Sequence, residues 1–183
     1  MNTNTNTNIE SNSIESNSKD NNYVINEVKK IIDNRDYNPY PQNIALAIAW
    51  IIINMKGTDV QIFDMRSISS LADYYVLANA QNPILAESIS DEVTYHMKRI
   101  GKSIKSLEGH RTSNWTLIDI GDVMAHIFVE ASREIYNLEA LWPNAPKVKV
   151  PESFYLAPTT TPQKTTSRTT TTTTTNASDD GYI

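Results

Sequence analysis

The string WTLIDIGDVMAHIF, Trp115 to Phe128, constrains this chain more than any other part of it. Two strand-like runs, Trp115–Ile120 and Val123–Val129, are separated only by Gly121-Asp122. Glycine takes a positive φ without steric cost, so Gly-Asp between alternating apolar runs predicts a tight hairpin. A two-residue loop then fixes the register. Asp119 faces Met124, Ile118 faces Ala125, Leu117 faces His126, Thr116 faces Ile127, and Trp115 faces Phe128. Side chains alternate along a strand, which sorts them into two faces. Thr116, Ile118, Ile120, Val123, Ala125 and Ile127 form a branched, apolar face, predicted to lie under helices. Trp115, Leu117, Asp119, Met124, His126 and Phe128 form the other, which mixes large rings with two ionisable groups. A second face of purely structural use is normally plain polar, or plain aliphatic if buried. This one is predicted to be covered by something polar and apolar at once.

The rest of the chain supplies the layers around that hairpin. Val24, Val28, Ile31 and Ile32 have helical spacing, and a second helix is predicted from Gln42 to Lys56, with Gly57 as its left-handed cap. That helix holds IALAIAWIII and is apolar nearly all round, as a helix clamped between a sheet and other chain should be. Asp59–Met65 and Tyr74–Ala80 read as strands. Asn82-Pro83 is an N-cap followed by proline at the first helical position, and Leu85, Ile89, Val93, His96 and Ile100 continue as one stripe up to Gly101. Ser103–Leu107 is a short strand, and Ser132–Trp142 one or two short helices before Pro143 and Pro146. The expected fold is α/β (α+β), a mixed five-stranded sheet covered by helices. One domain spans 23–157. The Asn/Thr/Ser-rich stretch 1–22 and the Thr-rich stretch 158–183 have too few apolar side chains to offset the entropy of ordering, and are expected to be disordered tails.

Composition narrows the function. With 16 Lys+Arg against 21 Asp+Glu the net charge is −5, so a direct grip on nucleic-acid backbone is not expected, and a basic protein is the favoured partner. No cysteine is present, which removes disulfides and thiolate metal sites. The apolar run is too short to span a bilayer, and residues 1–22 carry no arginine of the transit-peptide kind, so a soluble, cytoplasmic protein is expected. Asp119 and His126 lie on a diagonal across the hairpin, but no Cys or motif-framed Ser is near to make a nucleophilic site. The three histidines, His96, His110 and His126, fall on a helix, a loop and a strand with no metal-ligand spacing. The glycines form neither a dinucleotide fingerprint nor a P-loop, and Asp73 has no Asp-x-Asp partner for nucleotidyl transfer. No catalytic residue, cofactor or metal is expected.

Three segments then fall into one pattern. DMRSISSLADYYV supplies Asp64, Arg66, Ser69, Ala72, Asp73, Tyr74, Tyr75 and Val76. EGHRTSNWTLIDIGDVMAHIF supplies Glu108 and Gly109, then Trp115, Leu117, Asp119, Gly121, Asp122, Val123, His126 and Phe128. REIYNLEALW supplies Arg133, Tyr136, Leu138, Glu139 and Trp142. In this order and spacing, over about 45–148, the chain resembles the ribosomal silencing factor, or Iojap-like, family. It departs from the family pattern after the second strand, at Asn79-Ala80-Gln81-Asn82.

The resemblance implies a nucleotidyltransferase-like fold without catalytic residues, and a translational brake. Such a factor binds the large ribosomal subunit through ribosomal protein L-fourteen and sterically blocks joining of the small subunit. Alternatives are large-subunit assembly, or a residual metal-dependent nucleotidyltransferase using Asp64 or Asp73. The expected partner-binding residues are Trp115, Leu117, Asp119, Asp122, Met124, His126, Phe128, Arg133, Glu134, Tyr136 and Glu139. In this reading Trp115 and Phe128 are hot-spot anchors, and the acidic residues steer and orient a basic partner. A third, alternative reading is a homodimer that uses the same hairpin face.

Overall fold

A computed structural model describes residues 22–111 and 113–156; the tail expectations lie outside these, apart from Asn22. Helix α1 covers 22–33 and α2 is Gln42–Asn54. Strands β1 (Thr58–Asp64) and β2 (Tyr74–Ala80) follow, then α3 (Pro83–Arg99), β3 (Ser106–Glu108), β4 (Trp115–Asp119) and β5 (Val123–Val129). Helix α4 (Glu130–Tyr136) runs into a 3₁₀ turn, Leu138–Leu141, before β6 (Lys147–Val148) and a last 3₁₀ turn, Glu152–Tyr155. The sheet has six strands in the order β3-β4-β5-β2-β1-β6, all antiparallel except the central β2–β5 pair. The α/β class is as expected, but the strand count is one short. Strand β6 adds at the outer edge of β1, pairing Ile62 with Val148 and Phe63 with Lys147. Two residues between prolines carry no periodicity, so sequence pattern alone does not separate them from a loop.

Helix α2 explains its own composition. Every residue from Asn43 to Ile53 is buried, because the helix packs on β1 and β2, beside α3, and under α1 and the final 3₁₀ turn. Burying each Ile or Leu side chain contributes roughly 1.5–3 kcal/mol, which makes this helix the anchor of the core. Its end corrects one expectation. Lys56, not Gly57, takes the left-handed conformation, with φ 68°. Lys56 N–H bonds Ile53 O at 3.0 Å and Gly57 N–H bonds Ile52 O at 2.8 Å, the paired bonds of a Schellman motif. Gly57 is required for space instead, since a Cβ there would lie 2.4 Å from Ile52 Cγ2.

The hairpin register is the expected one at all five pairs, from Trp115–Phe128 to Asp119–Met124. Gly121 takes φ 99°, and Ile120 N–H closes the turn on Val123 O at 3.0 Å. Ile118, Ile120, Val123, Ala125 and Ile127 join the large core under α2 and α3, with Thr116 also buried. The opposite sheet face carries a second, smaller core of Phe63, Met65, Tyr75, Leu77 and Phe128, covered by Leu138 and Ala145 with Trp142 packed against it. That cover extends over β1 and β2. It leaves Trp115, Leu117, Asp119 and Met124 only half-buried.

Candidate functional site

The second sheet face holds an aromatic box. Trp115 stacks on Phe128 at 5.3 Å and on His126 at 5.8 Å, while Tyr136, brought back by α4, lies 4.7 Å from Trp115. Tyr75 from β2 meets His126 edge-on at 5.3 Å and Trp142 at 5.1 Å. The loop before β4 sets where Trp115 sits. Gly109 has φ 70° and passes so close that an added Cβ would lie 2.1 Å from Trp115 O. Tyr136 is half exposed, so Trp115 and Tyr136 present one continuous aromatic edge to solvent, flanked by Leu117 and Met124.

His126 and Phe128 occupy the shared face but are not surface residues. Phe128 is 0% exposed and His126 6%: Trp115 and Tyr136 pack over Phe128, and Trp115 and Tyr75 flank the His126 ring. The hot-spot role expected of Phe128 is corrected accordingly: it is the floor on which Trp115 rests. Trp115 Nε1–H donates to His126 Nδ1 at 3.3 Å. With Nδ1 accepting, the neutral ring carries its proton on Nε2, which is buried without a hydrogen-bond partner among the described residues. Burial pushes the His126 pKa down to about 4. Asp119 does not pair with this ring; its Oδ1 accepts from Gly121 N–H at 2.7 Å and secures the turn.

The acidic and basic residues divide by location. Asp122 accepts a hydrogen bond from the Tyr40 hydroxyl, which raises the Tyr40 pKa to about 12. Its carbonyl receives the N–H groups of Asp73 and Tyr74 at 2.9 and 3.1 Å, so Asp122 braces the start of β2. Arg133 is buried rather than presented, a correction to its expected contact role. It donates through Nε to Glu139 Oε1 at 2.7 Å and through Nη1 to Asp59 O at 2.7 Å and Asn79 Oδ1 at 3.2 Å. Glu139 is thereby committed to Arg133, while Glu134 is exposed.

Around Arg133 the structure forms a hollow of about 620 Å³ that the sequence did not announce. Asp59, Gln61, Asn79, Glu130, Glu134 and Lys147 reach it from four elements. Only the fold joins positions so far apart in the chain, so no local spacing marks them. Among the described residues, one grouping has metal-ligand composition: Glu87, Asp91 and His110, with ligand atoms within 4.8 Å of one another. Arg111 already balances those carboxylates, 2.7 Å from Glu87 and 3.9 Å from Asp91. The set acts as an ion-pair clasp between α3 and the loop that leads to Trp115.

Fold and site together define a mixed α/β protein, its sheet packed under helices on one face and offering a half-open aromatic edge on the other. Residues 38–180 match the family model described as "Ribosomal silencing factor during starvation". The chain belongs to the ribosomal silencing factor family. It is 36% identical over 95 residues to ribosomal silencing factor RsfS of Halalkalibacterium halodurans, spanning 52% of this chain and 81% of the relative. It is 34% identical over 91 residues to the Bacillus subtilis factor, spanning 50% and 77%. Identity to the chloroplastic protein Iojap of Zea mays is 30% over 112 residues, spanning 60% and 47%. A crystal structure from Bacillus halodurans superposes with a TM-score of 0.51 at 32% identity, covering 58% of this chain and 95% of the other.

Proposed function

We propose that this chain binds the large ribosomal subunit through ribosomal protein L-fourteen and blocks joining of the small subunit, lowering translation. The observation that carries the docking surface is the Trp115–Tyr136 edge, an aromatic pair left half-open together with Leu117, Asp119 and Met124 where the β1 and β2 side of that face is covered. Aromatic anchors beside half-buried Leu117 and Met124, with Asp119 and Glu134 near by, suit a basic protein partner. His126 and Phe128 serve it from beneath, holding the indole by a hydrogen bond and a stack. The reading involves no chemistry. Both Asp64 oxygens are engaged by Arg66, at 2.9 and 2.5 Å, which commits this carboxylate to an ion pair. Among the described residues no helix is long and apolar enough to cross a membrane, which suits a factor working where ribosomes do.

The test is sedimentation with purified subunits. Wild type is expected to travel with large subunits and reduce 70S-type pairing, and Trp115→Ala to lose at least about tenfold in affinity, the scale of an aromatic hot spot. Equal binding by Trp115→Ala would remove this edge from the interface. Light scattering of the free protein across concentration separates this reading from a homodimer through the same face.

A further inference from the structure

Charge is not spread evenly over this acidic chain. No Asp or Glu falls between Glu92 and Glu108, and that interval carries Lys98, Arg99, Lys102 and Lys105. Arg66, Arg111 and Arg133 are held by carboxylates, but among the described residues none of these four has an ion-pair partner. Lys98, Arg99 and Lys105 are exposed, and Lys102 is half-buried. Cations in the last turn of a helix stabilise it through the dipole, which accounts for Lys98 and Arg99 in α3. The effect ends with that turn. Gly101 N–H closes it on Lys98 O at 3.0 Å and Lys102 N–H on Met97 O at 2.9 Å, which leaves Lys102 and Lys105 without such a role. Both are drawn instead toward the β4–β5 turn. Lys102 Nζ stands 4.2 Å from the centre of the Tyr40 ring, and an added Cβ on Gly121 would lie 3.0 Å from Lys105 Cε and Nζ. The carboxylates of that turn are already engaged, Asp119 with Gly121 N–H and Asp122 with the Tyr40 hydroxyl. Aromatic rings are interleaved with the cations: Arg99 lies over the exposed Tyr95 ring at 5.5 Å, as Lys102 lies over Tyr40.

We propose that this surface binds an RNA strand, with phosphates on Lys98, Arg99, Lys102 and Lys105 and a base against Tyr95. A net charge of −5 argues against such a grip for the chain as a whole. A bound strand senses the local field, however, because salt screens charges beyond about 10 Å at 0.1 M. The form of the surface decides among anions. The hollow between Tyr40, Lys102 and Asp122 is only about 10 Å³, too small to enclose a nucleotide, whereas an open row of cations suits an extended polyanion. An acidic peptide would use the cations and leave the exposed rings idle, while bases stack on such rings. The inference goes beyond the docking reading and rests on it only for the source of the strand, ribosomal RNA beside the docked chain. Trp115 begins β4 and the cations flank the turn after its end, so the two contacts do not compete.

The test is fluorescence anisotropy of the full-length protein with a labelled, unstructured RNA of about twelve nucleotides, over a range of salt. With four phosphate contacts, log affinity should fall against log salt with a slope of about −3. The variant Lys98→Gln/Arg99→Gln/Lys105→Gln should weaken binding at least about tenfold at low salt and reduce the slope to about −1. Its control, Lys29→Gln/Lys56→Gln/Lys149→Gln, removes as many exposed cations from other elements and should bind as wild type does. Tyr95→Leu should weaken binding about fivefold and keep the slope, as the loss of a stacked base would. An oligoglutamate peptide is the competing anion and should bind more weakly than RNA. The inference is overturned if wild type binds no RNA at the lowest salt or if the patch variant binds as wild type does. An equal loss in the control variant, or tighter binding of oligoglutamate than of RNA, overturns it as well. None of these outcomes touches the aromatic edge, which sedimentation with subunits decides by itself.

Discussion

Lowering the pH from 7 to 4.5 isolates the cost of burying His126. The ring is held neutral, with a pKa near 4 against the ordinary 6.5, and burial is the cause. The sign follows from proton linkage. Below pH 6.5 the unfolded chain binds a proton at this ring that the folded chain refuses, so stability is fully present above 6.5 and is lost as pH falls toward 4. Between pH 7 and pH 4.5 the expected loss from this ring alone is about 2 kcal/mol, near the limiting slope of about 1.4 kcal/mol per pH unit. The whole chain responds to pH, so the measurement is a difference between two proteins. Urea unfolding of wild type and His126→Phe is followed by far-ultraviolet circular dichroism at half-unit intervals. The gap between the two stabilities should shift in favour of the variant by about 2 kcal/mol toward pH 4.5. Protonation of the folded ring places a hydrogen on Nδ1, where Trp115 now donates, so the indole should be released only as pH falls through about 4. Parallel pH curves for the two proteins would refute the buried, neutral assignment.

Three further outcomes are expected. Phe128→Ala removes the floor of the aromatic box and should cost about 3–5 kcal/mol in chemical denaturation, as large-to-small changes at fully buried aromatics do. Gly109→Ala meets both a positive φ and the carbonyl of Trp115; it should destabilise by more than about 1 kcal/mol and shift tryptophan fluorescence, where an unshifted spectrum would show that the loop relaxes elsewhere. Arg133→Gln strips charged partners from Glu139 and Asp59 and is expected to cost about 1.5–3 kcal/mol, read from the urea midpoint at constant slope.

The hairpin shows how far local rules reach. Its register needed only the Gly-Asp turn and a period of two, and every pair stands where those rules put it. The ends of α3 were similarly local, set by Asn82 and Gly101, whereas Ser132–Trp142 read as one or two short helices and only the structure shows the break, at the left-handed Asn137. Strand β6 escaped because two residues have no period, and Gly57 misled because its neighbour Lys56 bears the left-handed turn.

By itself the sequence determined the layers of this protein, which face of the hairpin lies under helices, and the family. These follow from side-chain period, turn chemistry and motif spacing, all of which are written along the chain. Only the tertiary structure decided which residues of the mixed face meet solvent. Phe128 and Trp115 are directly paired and alike in sequence, yet Trp115 and Tyr136 close over Phe128 while Trp115 itself stays half-buried. The Arg133 hollow was decided the same way, because it exists only where the end of β2, the start of β1, β6 and the face of α4 converge. Burial and convergence are properties of what lies across from a residue, and the chain records only what lies beside it.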